Sequence, residues 1–433
     1  MKFRIKRAMR LWLLLTVAGI TGLKSVKSQR ILTLDECLKI AKENNNNIKA
    51  AQENVNAARE VKKQRDDSGK PTLDGSVMAF YFGRPVNTLL PEYGVSPGLR
   101  ISQPVYSGGR TKLSRVAAAK GLEIQEGRKQ LATSEVLFNT ERAYWQVISA
   151  REQIKLAEQN KKQLDVLYND LNNQYVAGII YKNDVLRANV QLTENELELK
   201  RAEDALTIAQ ESLLQIIGLE DTTRVVIVDT LLEQFEVPVI AENMRQLISD
   251  NAELGILKNS IEAEKVQQQL MKADSRPAVS LGVNGIMSAG KVGINPANNS
   301  NVLTTYFGML NVSIPIFDWG VRKRRIQEQQ FRINAQSFQL KERMGEITTE
   351  ARQAYLELNQ DQKRIELSGV SLQQAEENLR LSKDRLKAGT ITGRDVLEAQ
   401  TIWQRAYSNM INAKIDRRIA EANLRRILAK GQP

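Results

Sequence analysis

The 433-residue chain has no histidine, a single cysteine (Cys37) and only 5% aromatic residues. Without histidine there is no imidazole acid–base catalysis and no histidine metal centre. One cysteine permits neither an intrachain disulfide nor a CxxC site. No convergent polar motif takes their place, so no enzyme activity, cofactor or resident metal is expected. Proline is missing from two stretches of more than a hundred residues, between Pro104 and Pro238 and between Pro315 and Pro433. Both lack the strongest helix breaker and are rich in good helix formers (Ala, Gln, Glu, Lys, Arg and Leu). Very long helices follow, not compact α/β domains. The formal charge is +12, but Lys2, Arg4, Lys6, Arg7, Arg10, Lys24 and Lys27 lie in the first 28 residues with no acid. The remainder carries +5, which gives no reason to expect nucleic-acid binding.

The N-terminus itself reads as an export signal. Basic residues end at Arg10 and an apolar run occupies residues 11–20, too short to span a bilayer. A small-residue cleavage site fits after Ser28. No other segment approaches the length of a membrane helix, so the exported protein is expected without one. Cys37 follows Leu34-Asp35-Glu36, which is not a lipobox, and reads as an ordinary helix residue.

What is present is a duplication. Pro104-Val105-Tyr106 returns as Pro315-Ile316-Phe317, Gly109 as Gly320, and Ala143-Tyr144 as Ala354-Tyr355. Ala177-Gly178 returns as Ala388-Gly389, and the run Asp184-Val185-Leu186-Arg187-Ala188 as Asp395-Val396-Leu397-Glu398-Ala399. All are 211 residues apart, whereas Pro71 and Pro277 are 206 apart. The expected organisation is a signal peptide (1–28), a first repeat (29–218), a connector (219–240) and a second repeat (241–433). Each repeat reads as helix, two strands, long helix, turn, helix.

The strands lie between the prolines. Leu73, Val77, Ala79 and Tyr81 share one face, as do Val95, Leu99 and Ile101 opposite Arg100 and Ser102. Val279, Leu281 and Val283 lie opposite Ser280 and Asn284, and Leu310, Val312 and Ile314 opposite Asn311 and Ser313. Period-2 patterning over about 10 residues suits tilted membrane strands. The hairpins are expected at 72–103 and 278–314. Tyr81, Phe82, Tyr93, Tyr106, Tyr306, Phe307 and Trp319 near strand ends suit interfacial aromatic belts. Two hairpins of a water-soluble sheet are the plainer alternative.

Helical pattern runs over 110–176 and 321–387, about 100 Å each at ~1.5 Å per residue. Positions stepping 4-3 from Leu340 to Leu386 are apolar at eleven of fourteen places, a coiled-coil seam rich in Ala. Shorter helices at 33–68, 181–217, 241–274 and 392–429 pair end to end to match one long helix. Four strands cannot close a membrane barrel, which needs about 8, and an open edge in lipid leaves backbone groups unsatisfied. Spanning strands must therefore be shared between chains.

In its strand-to-helix passages, Gln103-Pro104-Val105-Tyr106-Ser107-Gly108-Gly109 and Ile314-Pro315-Ile316-Phe317-Asp318-Trp319-Gly320, and in its duplicated Ala-Gly turns, the chain is similar to the TolC family of outer-membrane efflux and secretion channels. The similarity covers roughly residues 32–430. It implies an α+β membrane protein: a homotrimer with a 12-stranded β-barrel in the outer membrane of a Gram-negative bacterium and a periplasmic tunnel of long α-helices. The function implied is the passive exit duct of a tripartite efflux pump, with a periplasmic adaptor, an inner-membrane pump and outer-membrane lipid as partners. An exit duct for type I protein secretion is the alternative, and a pore-free periplasmic coiled-coil scaffold a more distant one.

The resemblance also assigns residues. The helix turns become periplasmic tips that dock the adaptor, at Ala177, Gly178 and Ile179 and at Ala388, Gly389 and Thr390. Asp395 and Glu398, three apart on one helical face, become a carboxylate ring at the tunnel entrance, joined by Asp184. A solvated helix-start acid is the ordinary reading of the same residues. Arg187 stands where the first repeat would carry its second acid. Ile391 and Leu386 replace an Arg and a Tyr found in some family members, where the Arg locks the closed state. Pro104, Gly108, Gly109, Pro315 and Gly320 mark the strand-to-helix bends. Nothing in the sequence selects the transported substrate.

Overall fold

The computed structural model describes residues 30–85, 92–219, 225–227, 248–290 and 300–428, with 295 and 297. The expected signal peptide, most of the connector, residues 241–247 and residue 429 lie outside them. The order is β1 (Arg30–Leu32), α1 (Leu34–Asn44), α2 (Asn46–Asp67), β2 (Thr72–Tyr81), β3 (Tyr93–Tyr106), α3 (Arg110–Val176) and α4 (Lys182–Ile217). There follow β4 (Val225–Ile227), α5 (Ala252–Ala273), β5 (Ala278–Gly290), β6 (Val302–Ser313), α6 (Val321–Lys387) and α7 (Gly393–Ile427).

One helix is broken where the pattern runs on. The helix expected over 33–68 divides at Asn45, whose backbone is extended (φ −60°, ψ 129°). The Asn45 side chain donates to the carbonyl of Ile216 at 2.7 Å, a bond that a continuous helix would not direct there. Upstream, Thr33 and Glu36 form a reciprocal capping box that sets the start of α1. In the second repeat, residues 241–247 of the expected helix lie outside the described residues, and α5 begins at Ala252 after a turn at 248–250. Asn251 caps it by accepting from the N–H groups of Glu253 and Leu254.

The described residues divide into two compact units. One lies within Met1–Asn46, Glu135–Val239 and Ala354–Arg426, the other within Asn47–Ser134, Ile240–Gln353 and Ile427–Pro433. Neither is a sequence repeat; each draws on both.

In the first unit, α3 buries Tyr144, Ile148, Leu156, Leu164 and Leu171. Leu213, Leu214 and Ile217 of α4 are buried too, as are Ala354, Leu358, Ala375 and Leu379 of α6 and Val396, Ala399, Trp403 and Ala406 of α7. Every one of the fourteen seam positions from Leu340 to Leu386 is buried or half-buried, whereas Leu356, Leu367, Val370 and Leu381 off that seam are exposed. Alanine at the buried positions lets helices approach closely.

One polar knot interrupts this core. Asn160 (α3) donates to the side-chain oxygens of Asn195 (α4) at 2.6 Å and of Gln404 (α7) at 2.9 Å, and accepts from Gln400 (α7) at 2.6 Å. Asn195 in turn donates to the carbonyl of Ala157. A buried amide that meets partners on three helices opposes sliding of one helix along another, because any other register leaves it unsatisfied. A short parallel pair, β1 with β4, completes the unit, and Arg151 donates to the carbonyl of Ile227.

The second unit holds a four-stranded antiparallel sheet in the order β2-β3-β5-β6. Its register gathers the four alternating patterns onto common faces. Leu73 pairs with Ile101, Ile101 with Val283, Leu281 with Leu310 and Val279 with Val312. Paired residues share a face, so one side is largely apolar, with Gln103 and Thr304 as its polar members. The other is the more polar side: it carries Asp74, Ser76, Ser96, Arg100, Ser102, Asn284, Ser288 and Asn311, beside Met78, Phe80, Ile286, Phe307 and Met309. Leu73, Val77, Leu99, Ile101, Leu281, Val283, Leu310 and Val312 on the apolar side are all exposed in the single chain. A sheet in water does not leave such a face uncovered. Strands β2 and β6 each have one unpaired edge.

Asn160→Ala should destabilise the helical unit by about 3 kcal/mol, because Gln400, Gln404 and Asn195 lose buried partners together. Thermal melting of the detergent-solubilised protein, followed by far-ultraviolet circular dichroism, measures this; a melting point within error of wild type would contradict the role given to the knot.

Candidate functional site

The two turns that join the long helices to the helices after them share one hydrogen-bond pattern. At the end of α3, Gly178 N–H donates to Tyr175 O and Ile179 N–H to Gln174 O, both at 2.9 Å. At the end of α6, Gly389 N–H donates to Leu386 O and Thr390 N–H to Arg385 O, both at 3.0 Å. These are Schellman terminations, which require a left-handed residue after the helix. Gly178 supplies it at φ +76° and Gly389 at φ +70°. Ala177, Gly178, Ile179, Ala388, Gly389 and Thr390 are all exposed, and a side chain at either glycine would meet nothing within 4 Å. The glycines thus serve the turn's backbone, not a crowded contact. Val176, Ile179 and Tyr181 add large exposed apolar groups beside the first turn.

The helices that follow start differently. Asp395 accepts from both the backbone N–H and the hydroxyl of Thr392, each at 2.8 Å. Those bonds, backbone first, hold its carboxyl below the usual aspartate range. In the first repeat Tyr181 is the cap and makes no side-chain cap bond, so Asp184 has no such tether. The Thr-x-x-Asp spacing at 392–395 signals this cap in the sequence. Asp395 and Glu398 are both exposed and share a helical face, and Asp184 lies half-buried in the first turn of α4. Glu398 lines a groove between α4 and α7 together with Arg187, Arg394, Leu186, Val190 and Leu397. Within one chain, the groove thus gives Glu398 two guanidinium neighbours besides Asp395 on its own helix. Gly393, which sequence reasoning passed over, is buried, and a Cβ there would meet Leu171 at 2.8 Å. That close approach seats the start of α7 against α3.

The two strand-to-helix passages repeat one backbone solution. Two consecutive left-handed residues turn the chain, Gly108 (φ +62°) and Gly109 (φ +90°) in the first, Trp319 (φ +56°) and Gly320 (φ +80°) in the second. A polar residue ahead of each pair caps the next helix. The Ser107 hydroxyl accepts from Thr111 N–H; the Asp318 carboxylate accepts from Arg322 N–H and Gly320 N–H. Gly108 has no room for a side chain, since a Cβ would meet the Arg276 Cβ at 2.8 Å. Pro104 lies inside β3 at a register shift, where its missing N–H is tolerated, whereas Pro315 lies beyond the end of β6. The bend residues are thus equivalent in sequence but not in strand length. Ile316, Phe317 and Trp319 are exposed.

The chain thus joins a four-stranded sheet with an exposed apolar side to long helices with a buried apolar seam. The family model described as outer membrane efflux protein matches residues 37–219 and 244–430. The chain belongs to that family. It is 21% identical over 332 residues to the alkaline protease secretion protein AprF of Pseudomonas aeruginosa, covering 76% of this chain and 68% of that one. It is 20% identical over 345 residues to the outer membrane protein TolC of Escherichia coli, covering 77% and 69%. Its fold matches the structure of CusC with a TM-score of 0.80 at 15% identity over 92% of each chain. It matches the Campylobacter jejuni CmeC outer membrane channel with a TM-score of 0.80 at 18% identity, over 91% of this chain and 85% of that one. The protein is accordingly an exit channel of the Gram-negative outer membrane, with its helical part in the periplasm.

Gly178→Ala and Gly389→Ala should each destabilise their turn by about 1–2 kcal/mol, the cost of a left-handed L-residue, with Asn at either position costing less. Limited proteolysis at 176–182 and 387–393 reports it as faster cleavage in the alanine variants; unchanged cleavage rates would show that neither turn depends on glycine.

Proposed function

We propose that three copies of this chain assemble into one conduit, each giving four strands to a 12-stranded barrel and its long helices to a tunnel. The observation that carries this reading is the sheet: an exposed apolar face, a polar face and two unpaired edges in one chain. Edge N–H and C=O groups have no water to satisfy them in hydrocarbon, so β6 of one copy needs β2 of the next. The exposed apolar residues of α6, among them Phe331, Phe338, Leu356, Leu367 and Val370, suit contact between copies in the helical part. In this assembly the two sequence repeats, 29–218 and 241–433, are equivalent structural elements joined by the connector at 219–240.

The conduit works passively. A periplasmic adaptor docks on the tips at Ala177, Gly178 and Ile179 and at Ala388, Gly389 and Thr390, and an inner-membrane pump supplies the energy. Pro104, Gly108, Gly109, Pro315 and Gly320 redirect the chain from inclined strand to steep helix. Asp395 and Glu398, with Asp184, form the entrance ring, where like charges attract cations. The family description favours efflux. The likeness to AprF, a protease secretion protein, supports protein secretion as the second reading.

Extraction and mass test the assembly. Detergent, but not high salt, should release the protein from membranes, with a protein mass of three chains; a water-soluble monomer would refute it. Asp395→Ala combined with Glu398→Ala should lower the cation selectivity of single channels in planar bilayers. In the wild type, that selectivity should be present at neutral pH and persist into acid beyond where an ordinary aspartate is protonated, because the bonds from Thr392 hold the Asp395 carboxyl down, and fall only below that. Deprotonated carboxylates are what attract the cation, and protonation removes them. Selectivity unaltered by both the variant and acid would remove these carboxylates from the entrance.

A further inference from the structure

Only two residues in the four-stranded sheet carry charge, Asp74 on β2 and Arg100 on β3. They are register partners, so they sit side by side on the polar face. Side chains opposite one another in a sheet are close enough to pair, and oppositely charged partners commonly do. These two do not. The Arg100 Nε instead donates to the side-chain oxygen of Asn284, the register partner on the other flanking strand, at 2.8 Å. Asn284 is 6% exposed, and its own amide nitrogen has no acceptor. A buried amide with an unused donor is poorly satisfied for its own sake. What it does is hold the guanidinium by one nitrogen and turn it toward β5, away from Asp74. Arg100 remains exposed, and its two terminal nitrogens are without protein acceptors. A planar fork of donors held in this way is the geometry that receives a carboxylate or phosphate oxygen.

We propose that Arg100 is an anion-contact site on the inner wall of the barrel, kept available by Asn284. This rests on the trimeric barrel reading, in which the apolar face meets lipid and the polar face lines the lumen. Three copies then place three tethered guanidinium groups in the exit pore at one level, each beside an Asp74 that it does not neutralise. A passing solute with a carboxylate, phosphate or sulfonate group meets a cationic foothold there. Asp74 opposes this preference, and Asn284 sets the balance by keeping the two charges apart.

Reversal potentials of single channels across a potassium chloride gradient test the site. Low salt is needed, because screening acts over about 30 Å at 0.01 M but only about 10 Å at 0.1 M. Arg100→Gln should shift the reversal potential toward cation preference, and Asp74→Asn toward anion preference. Asn284→Ala should shift it the same way as Arg100→Gln, because the released guanidinium falls onto Asp74. Arg100→Lys, which keeps the charge, should stay near wild type. A purely structural role for this row would not give opposite shifts from its two charged members. Channels in all four variants with the wild-type reversal potential would overturn the proposal while leaving the barrel intact. A wild-type protein that forms no channels would overturn both.

Discussion

Backbone hydrogen bonding in hydrocarbon constrains everything else in this protein. A strand can cross a membrane only if both of its edges are paired. The sheet of one chain satisfies β3 and β5 and leaves one edge of β2 and one of β6 without partners. The residues that make these strands suitable for lipid, Leu73, Val77, Leu99 and Leu310 among them, also make the isolated chain unsuitable for water. In the proposed assembly, closure by further copies resolves both problems at once, and the helical part follows the symmetry of the strands.

The helices meet a different requirement, that of keeping register over great length. A uniform apolar seam packs almost equally well after a slip by one turn. Asn160, Asn195, Gln400 and Gln404 remove that degeneracy, since only one alignment satisfies their amides. Buried ionisable groups add to this in the same unit. Glu141, 3% exposed, bonds Arg425 at 2.6 Å, and burial pushes its carboxyl above the usual glutamate range despite the cation. Asp361, a seam position, is pushed upward by burial in the same way while Arg364 holds it. Such groups cost desolvation and contribute little net stability, so their value lies in specifying one arrangement.

The duplication shows how one backbone is served by different side chains. Both helix turns use glycine in a Schellman termination, but the next helix is capped by Thr392 and Asp395 in one repeat and lacks a side-chain cap at Tyr181 in the other. Both bends use two left-handed residues, yet Gly108 is hemmed in by Arg276 while its counterpart is Trp319. A tryptophan in that conformation costs about 1–2 kcal/mol that a glycine avoids. The repeats have therefore kept their dihedral angles more faithfully than their chemistry.

Much was legible because it depends on spacing along one chain. Absent prolines indicated long helices, the 4-3 spacing from Leu340 to Leu386 marked the buried stripe, and alternation marked the faces of the four strands. The positive-φ glycines at 178 and 389 were equally visible, because a sharp reversal leaves few other residues. What depends on residues distant in sequence was not. The break at Asn45 is set by a carbonyl 171 positions away, and Gly393 is small because Leu171 lies against it. Nor could spacing reveal that Arg100 turns to Asn284 rather than to Asp74, or that Glu398 shares its groove with Arg187 and Arg394. Periodicity states which side of an element is buried; which group it is buried against is decided only when the chain folds, because partners are chosen by distance in space.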